Sequence, residues 1–370
     1  MRLYVGGKMY GSLIDIQDES KFRAIKRAVG AAWITKNLLD YESDVDSTLA
    51  DLKRRLRAHP TCNLYATLRL FQMDFLMKAT FSEDERNLEK GGDENELTRA
   101  GSERGRHWVA WQPLPRLERF IFHSPVWARF IKRDVSWLIF ANKMVAKRRA
   151  EGSGERKVDL LQRFLDASEK HPDAIHPDTV ASLVWSVLSA GKDTTVATSS
   201  AMISLLLRHP EVLKRLLTEL EDAKAGAKLS DPPKYAEVST MPYLDAVVKE
   251  VVRLNPFPPV LLERVVPARG AVLAGQHIPA GTVVGTLASL VHADRACFGQ
   301  DADEFRPERW LTKDEEVRRR MERGFIGFGG GSRICLGRHI AELEVKKVVP
   351  ALLMSFDVRR TVTELLERLS

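Results

Sequence analysis

The stretch Phe328-Gly-Gly-Gly-Ser-Arg-Ile-Cys-Leu-Gly337 says most about how this chain folds. It places Cys335 at the end of a glycine-rich loop, just before a helical pattern that runs from Arg338 to about Phe356. Glycine adopts backbone conformations that are closed to other residues, so several N–H groups of such a loop can point at the sulphur. The helix N-terminus adds partial positive charge, and both effects favour the thiolate over the thiol. The stretch therefore predicts a thiolate metal ligand at Cys335.

Five spaced positions of this stretch match a known signature. The pattern Phe-x-x-Gly-x-Arg-x-Cys-x-Gly resembles the haem-binding signature of the cytochrome P-450 family, and Ala341 and Glu344 continue the family pattern into the next helix. The matching residues are Phe328, Gly331, Arg333, Cys335 and Gly337. The resemblance implies that Cys335 is the axial thiolate of haem b, a ligand that pushes the iron toward O–O bond cleavage. The alternative, a buried and inert cysteine beside a glycine-rich turn, is our interpretation of Cys62 and Cys297.

A second motif, Ala190-Gly-Lys-Asp-Thr-Thr195, interrupts a long apolar helix predicted over residues 177–208. A glycine and two adjacent threonines weaken the regularity of a helix. Taken alone, the motif could equally be a packing notch of small residues with an acid at the surface. Beside the cysteine loop it resembles the oxygen-activation motif of the cytochromes P-450, where an acid and an alcohol relay protons to dioxygen. The resemblance implies that Asp193 is the acid and Thr194 the alcohol of this general acid pathway. It gives Lys192 no role.

Two further motifs imply a buried group of charges. Glu250 and Arg253 lie three residues apart and so share one face of a predicted helix. Together with the later stretch Phe305-Arg-Pro-Glu-Arg-Trp310, they resemble the Glu-x-x-Arg and Pro-Glu-Arg-Phe elements of the same family, with Trp310 in place of phenylalanine. The resemblance implies a buried triad of Glu250, Arg253 and Arg309 that fixes the loop leading to the cysteine.

The propionate groups of haem need cations. By resemblance, Arg333 and Arg264 fill two of the family's positions for them, one just before the cysteine and one in a strand pattern. The third position is an aromatic residue or histidine followed four residues later by arginine, and its nearest match here is Phe22 with Lys26. We expect Lys26 to supply charge there, whereas Phe22 has no donor. Phe328, which opens the signature, is also expected at the haem.

The composition is that of a globular protein in a reducing compartment. Of the 370 residues, 44% are hydrophobic and 29% charged, which is ample material for a core. Three cysteines cannot all pair internally, and nothing suggests a disulfide framework. The net charge of +7 favours solvated basic helix faces or, alternatively, a positive surface for an acidic redox partner or anionic lipid. No nucleic-acid-binding pattern accompanies the charge, so we expect no nucleic-acid partner.

Helical patterns dominate the chain, and strand patterns are few. Residues 21–225 form a helical part that contains the long central helix, and residues 226–370 form a part that contains the strands and the cysteine loop. The strand patterns fall at residues 260–266, 271–273 and 283–287. We therefore predict a mainly α fold with a small β-sheet region, the cytochrome P-450 fold, as one domain over residues 1–370. The family's membrane anchor, first helix and first sheet strands are not recognisable before Lys21, so we expect an N-terminally incomplete domain.

The chain resembles fungal microsomal members of the family, whose usual chemistry is the oxygenation of lipophilic molecules, often in secondary metabolism. This implies a monooxygenase that takes electrons from NADPH–cytochrome P-450 reductase at the cytosolic face of the endoplasmic reticulum membrane. No apolar run reaches the ~18 residues that span a bilayer, so a cytoplasmic location or peripheral membrane contact is the alternative. The alternative function, motivated by the unrecognised N-terminal portion, is a truncated and inactive remnant that only binds haem or a partner.

Overall fold

The computed structural model describes residues 2–5, 8–11, 13–92, 103, 105–107, 109–111, 113–123, 136–151 and 157–360. These residues are mostly helical and carry three small antiparallel sheets of two strands each. The mainly α fold with little sheet is therefore confirmed. The chain divides into two compact units. The first unit comprises Met1–Val196 with His339–Glu344, and the second comprises Ala197–Arg338 with Val345–Ser370.

Side chains from the sequence fix where several helices begin. Asp18 accepts a hydrogen bond from the Lys21 N–H, and Asn63 accepts one from the Ala66 N–H, so each satisfies an unpaired donor of a first helical turn. The helices are α1 (Glu19–Val29), α2 (Thr35–Leu38), α3 (Glu42–Ala58), α4 (Leu64–Phe81), α5 (Asn87–Lys90), α6 (Pro115–His123), α7 (Ser136–Ala150), α8 (Leu160–Lys170), α9 (Val180–Arg208), α10 (Pro210–Ala225), α11 (Tyr235–Val238), α12 (Pro242–Leu254), α13 (Ala288–His292), α14 (Arg295–Phe298), α15 (Glu315–Gly324) and α16 (Arg338–Ser355). The central helix α9 thus follows a short 3-10 turn, Pro177–Thr179, rather than including it.

The strands form three antiparallel pairs. They are β1 (Arg2–Val5), β2 (Lys8–Gly11), β3 (Leu262–Val265), β4 (Ala271–Leu273), β5 (Gln276–Ile278) and β6 (Val283–Thr286). β1 pairs with β2, β4 with β5, and β3 with β6, where Arg264 lies opposite Val284. The three predicted strands are present, two of them shorter than predicted. The sequence pattern indicated no strand before Lys21, and the β1–β2 pair corrects that expectation. Strands of only four residues have too few positions for an alternation to distinguish them from loop.

The first unit is built around helices that are buried on more than one side. α3 packs against α4, and α4 buries aromatic residues from its middle to its C-terminus, namely Phe71, Phe75 and Phe81. On α9 the fully buried residues include Trp185 and Leu188. Burying an aromatic side chain of this size removes about 150–250 Å² from water, so these helices form the main hydrophobic core of the unit.

The second unit centres on α12 and the 3-10 turn Pro307–Leu311, which pack closely together. The core at this contact is made of Ala246, Phe298, Ala302, Trp310 and Met321. The packing brings the stretch around Arg309 against the face of α12 that carries Glu250 and Arg253. The fold thus supplies the setting for the predicted buried charges.

The last helix, α16, begins at Arg338, as the sequence predicts, and ends one residue before the predicted Phe356. It runs through Pro350 as one continuous helix. None of the helices in the described part of the chain is both long and apolar enough to cross a membrane.

Candidate active site

The cysteine loop, residues 326–337, is closed by a backbone hydrogen bond at its predicted ligand. The Cys335 N–H donates to the Phe328 carbonyl oxygen at 2.9 Å. Gly329 and Gly331 have φ angles of +75° and +60°, in the left-handed region that costs other residues energy. The glycines of the signature are therefore needed to bring the cysteine back against the start of the loop.

The cysteine is accessible and lies at the start of a long helix. Cys335 is exposed, and the 18-residue helix α16 begins three residues later. Cys62 is also exposed and Cys297 is only partly buried, so the expectation that these two cysteines are buried is wrong. Cβ atoms placed on Gly330 and Gly331 would meet no heavy atom within 4 Å, so the loop is open around these positions. An accessible soft sulphur on an open loop, with the positive end of a helix following it, fits the axial ligand of a haem-thiolate centre.

The three predicted haem-binding cations lie on three different elements. Arg333 is partly buried within the cysteine loop. Arg264 is exposed on β3, where its Nη1 donates to the Glu263 carbonyl oxygen at 2.6 Å. Lys26 belongs to α1 in the first unit, and its Nζ lies 5.8 Å from the centre of the Phe22 ring. The roles of these cations toward haem remain predictions.

The motif on α9 is carried by a helix that has no break. Thr194 Oγ1 donates to the Ala190 carbonyl oxygen at 3.0 Å, which is a bond to its own helix four residues back. Gly191 faces α4, and a Cβ there would lie only 3.0 Å from Leu76 Cδ2. Gly191 therefore allows α4 to approach α9 closely, as the packing-notch interpretation expects. The same helical turn also carries the polar residues Asp193 and Thr194.

Asp193 is held between two cations. Arg69 Nε lies 3.5 Å from Asp193 Oδ1, and Lys192 Nζ donates to Oδ2. The Lys192 side chain is 3% exposed, whereas that of Asp193 is 25% exposed. The pKa of the neighbouring Tyr65 is raised by burial and by the negative charge of Asp193. Lys192 thus anchors the carboxylate, and Arg69 is a contact that the sequence did not reveal.

The predicted triad forms around a fully buried carboxylate. Arg253 donates to both oxygens of Glu250, from Nε to Oε2 at 2.9 Å and from Nη2 to Oε1 at 2.8 Å. Arg309 Nε and the Arg306 N–H donate to Oε1 at 2.9 Å and 3.0 Å. Glu250, Arg253 and Arg309 are 0%, 1% and 4% exposed. These contacts confirm the triad, and its charges are paired as burial requires.

Trp310 adds a donor that the family's phenylalanine cannot supply. Its Nε1 donates to Glu250 Oε2 at 2.8 Å, and the residue is buried. The sequence showed the departure from the motif but not the bond. A buried indole N–H normally finds a partner, and that is the signal that could have indicated the contact.

His292, at the end of α13, is a second residue that the sequence did not single out. It is buried, with Nδ1 2.8 Å from the Arg253 carbonyl oxygen and Nε2 3.0 Å from the Ile326 nitrogen. Its partners lie far from it along the chain, so neither periodicity nor motif spacing marks it.

Comparison with known proteins gives one consistent result. The sequence model of the cytochrome P-450 family matches residues 11–367 of the chain. A cytochrome P-450 monooxygenase of Aspergillus terreus is 35% identical over 98% of this chain and 76% of its own length. The monooxygenase cicH of Emericella nidulans is 34% identical over 96% of this chain and 73% of its own length. The monooxygenase mpaDE of Penicillium roqueforti is 31% identical over 94% of this chain and 42% of its own length.

Proposed function

The chain belongs to the cytochrome P-450 family of oxygen-incorporating oxidoreductases, and we propose that it is a haem-thiolate monooxygenase acting on a lipophilic small molecule. One atom of dioxygen enters the substrate and the other leaves as water. The observation that carries the proposal is the exposed Cys335 on the signature loop, directly before α16. The resemblance to fungal members supports a place in secondary metabolism.

The residues of the loop would hold the cofactor. Cys335 Sγ would bind the haem iron, and the positive end of α16 would favour its thiolate form. Arg333, Arg264 and Lys26 are the residues that would neutralise the propionates, and Phe328 would contact the cofactor. Bound haem supplies the iron at which dioxygen is activated. The protein's contribution is to fix the sulphur, pair the cofactor's charges and deliver protons.

Asp193 and Thr194 are the residues that move protons. The Asp193 side chain is one quarter exposed, so it can exchange protons with water, and Arg69 and Lys192 fix its orientation. The Thr194 hydroxyl gives its hydrogen to the Ala190 carbonyl oxygen, and in that position its oxygen can accept a hydrogen bond. An acid beside an alcohol can pass a proton from water to the reacting oxygen atom.

The electrons come from NADPH–cytochrome P-450 reductase. The net charge of +7 supports attraction of an acidic redox partner, because complementary charge speeds encounter. The site of action is the cytosolic face of the endoplasmic reticulum membrane. The net charge of +7 favours peripheral contact of this chain with an anionic membrane surface.

The ferrous–carbon monoxide spectrum of the purified protein tests the proposal. The wild type is expected to show the red-shifted Soret band of thiolate-ligated haem, and Cys335→Ser is expected to lose it because a serine hydroxyl does not replace the thiolate. Cys62→Ser is the matched control, since Cys62 is also exposed but lies outside the loop. If Cys335→Ser kept the wild-type spectrum, the proposal would be wrong.

Turnover separates the monooxygenase from an inactive remnant of the family. If the protein is a monooxygenase, its NADPH consumption in the presence of the reductase should rise when members of a panel of lipophilic molecules are added. The product should be heavier than the substrate by one oxygen atom. Haem incorporation without either result would favour the remnant.

A further inference from the structure

His292 lies buried between the end of α12 and the first residue of the cysteine loop. The residue is 1% exposed. Its Nδ1 lies 2.8 Å from the Arg253 carbonyl oxygen, and its Nε2 lies 3.0 Å from the Ile326 nitrogen. The ring stacks on Phe325 with centres 5.5 Å apart and meets Phe298 edge-on at 5.9 Å. One imidazole therefore joins the buried triad to the cysteine loop.

The two partners assign the hydrogen on the ring. A carbonyl oxygen only accepts, so Nδ1 carries the hydrogen that bonds to Arg253. A backbone N–H only donates, so Nε2 offers its lone pair to Ile326. Burial lowers the pKa of His292, and the charge of Arg253 acts in the same direction. The neutral ring with its hydrogen on Nδ1 thus satisfies both partners.

From Ile326 the contacts continue along the loop. The Ile326 carbonyl oxygen accepts the Gly329 N–H at 2.8 Å, and the turn made there leads to the hydrogen bond that closes the loop at Cys335. Between them, Gly327 lies so close to α12 that an added Cβ would stand 2.3 Å from Val252 Cγ1. The start of the loop is therefore held on two sides, by an imidazole and by the surface of α12.

We propose that His292 is a positioning residue for the axial thiolate: its Nε2 holds Ile326 and thereby sets where the loop carries Cys335. The inference rests on the proposed haem-thiolate function. Arg253 also binds the His292 carbonyl oxygen, from Nη1 at 2.8 Å, so the ring's anchor is itself part of the triad. What distinguishes this role from general support of the fold is that it depends on one ring nitrogen, Nε2, rather than on both.

Three substitutions separate the two ring nitrogens. His292→Gln places an amide oxygen near the position of Nε2, where it can accept from Ile326, but loses the donor to Arg253. His292→Asn places an amide N–H near the position of Nδ1, so it keeps the donor and loses the acceptor. His292→Phe keeps a stacking ring and loses both. If His292→Phe does not fold, the contrast between Gln and Asn still decides the matter.

The first readout is the ratio of thiolate-ligated to other ferrous–carbon monoxide forms in the haem-bound protein. We expect a roughly tenfold lower ratio in His292→Asn and His292→Phe, because the partly buried Ile326 N–H is left without its acceptor. We expect His292→Gln to keep the wild-type ratio, even if its melting temperature falls. An unchanged ratio in His292→Asn, or an equal fall in His292→Gln, would overturn the proposal.

The second readout, hydrogen exchange at the Ile326 amide, needs no haem spectrum. It should quicken at least about tenfold in His292→Asn and His292→Phe and stay slow in His292→Gln, since exchange follows the opening of that one hydrogen bond. Unchanged exchange in His292→Asn would overturn the inference. A wild type without the thiolate band would contradict only the proposed function, because hydrogen exchange at the Ile326 amide would still report whether His292 holds the loop.

Discussion

Glu250 and Glu344 are equally buried, at 0% and 2% exposed, yet their surroundings are opposite. Glu250 receives hydrogen bonds from two arginines, an indole and a backbone N–H. Glu344, on α16, has Gln72 as its neighbour, and its Oε2 has no hydrogen-bond partner within the described residues. Burial raises the pKa of Glu344 to about 8, so this carboxyl is mostly neutral near pH 7.

The difference shows that burial does not decide whether a carboxyl carries charge, because the donors around it do. A buried charge persists only where hydrogen bonds and counter-ions replace water, and without them the group takes up a proton. Asp193 lies between the two cases, since it has two cations beside it and keeps a quarter of its side chain exposed. Glu250 is closed off from water by its donors, whereas the Asp193 side chain stays reachable by water.

The largest effect is expected from Glu250→Gln. The change leaves the buried guanidinium groups of Arg253 and Arg309 without their shared carboxylate, which should lower the free energy of unfolding by about 3–5 kcal/mol. Chemical unfolding and the yield of soluble protein measure this. Glu322→Gln, at an exposed site on α15, is the control and should change stability by less than about 0.5 kcal/mol. A loss of unfolding free energy below about 1 kcal/mol for Glu250→Gln would show that Glu250 is not the charged partner of the two arginines.

Asp193→Asn should lower turnover by more than its loss of an ion pair with Lys192 lowers stability. An amide cannot donate the proton that general acid catalysis needs, so product formation should fall about 100-fold, or about 2.7 kcal/mol in activation free energy. The thiolate band should stay near the wild-type value, and turnover is compared per haem-bound protein because the melting temperature should fall when the buried Lys192 side chain loses a charged partner. Asp173→Asn, at an exposed position, is the matched control. Wild-type turnover in Asp193→Asn would show that the contacts of Asp193 with Arg69 and Lys192 are only structural.

Glu344→Gln tests the neutral buried carboxyl through pH. Because its pKa is raised in the fold, folding takes up a proton between about pH 4.5 and 8, so stability falls as pH rises through this window. The wild type should lose about 2–3 kcal/mol from this group between pH 5.5 and 7.5. Glu344→Gln should remove that part of the slope, and Glu322→Gln should keep it. Equal slopes in Glu344→Gln and wild type would mean that Glu344 is ionised in the fold.

The smallest effect is expected from Trp310→Phe, which takes one donor away from Glu250. A hydrogen bond to a charged group contributes about 1.5 kcal/mol or more, and this is the expected loss beyond that caused by the smaller ring. Trp137→Phe is the matched control, because Trp137 is also buried but its Nε1 has no hydrogen-bond partner among the described residues. Equal losses in the two variants would show that the indole N–H adds nothing to the network.

The helices and the Glu250–Arg253 pair could be predicted from the sequence because the patterns that mark them lie within a few residues. Periodic apolar residues mark α4 and α12, and capping side chains such as Asn63 fix where a helix starts. Glu250 and Arg253 lie on one helix face by spacing alone, and the family motif supplied Arg309. β5 and the β1–β2 pair were missed, since strands of three or four residues have too few positions for an alternation to show.

The contacts that tune these groups were not accessible, because they depend on how distant segments pack. Arg69 reaches Asp193 only once α4 packs against α9, and His292 reaches Ile326 only in the folded second unit. Lys192 is a neighbour of Asp193 in the sequence, but only the structure shows that its side chain is buried and turned toward the carboxylate. Tertiary packing sets such environments, and a single sequence carries no record of it.

The way Ile326 is held bears on how the protein takes up haem. The contacts of Ile326 with His292, of Gly327 with Val252 and of the Cys335 N–H are all made within the polypeptide. Fixing one residue's backbone costs roughly 1–2 kcal/mol in conformational entropy, and here that cost falls on folding rather than on cofactor uptake. The apoprotein would therefore present its sulphur in a preorganised setting, and the affinity for haem would not be diminished by late ordering of the loop.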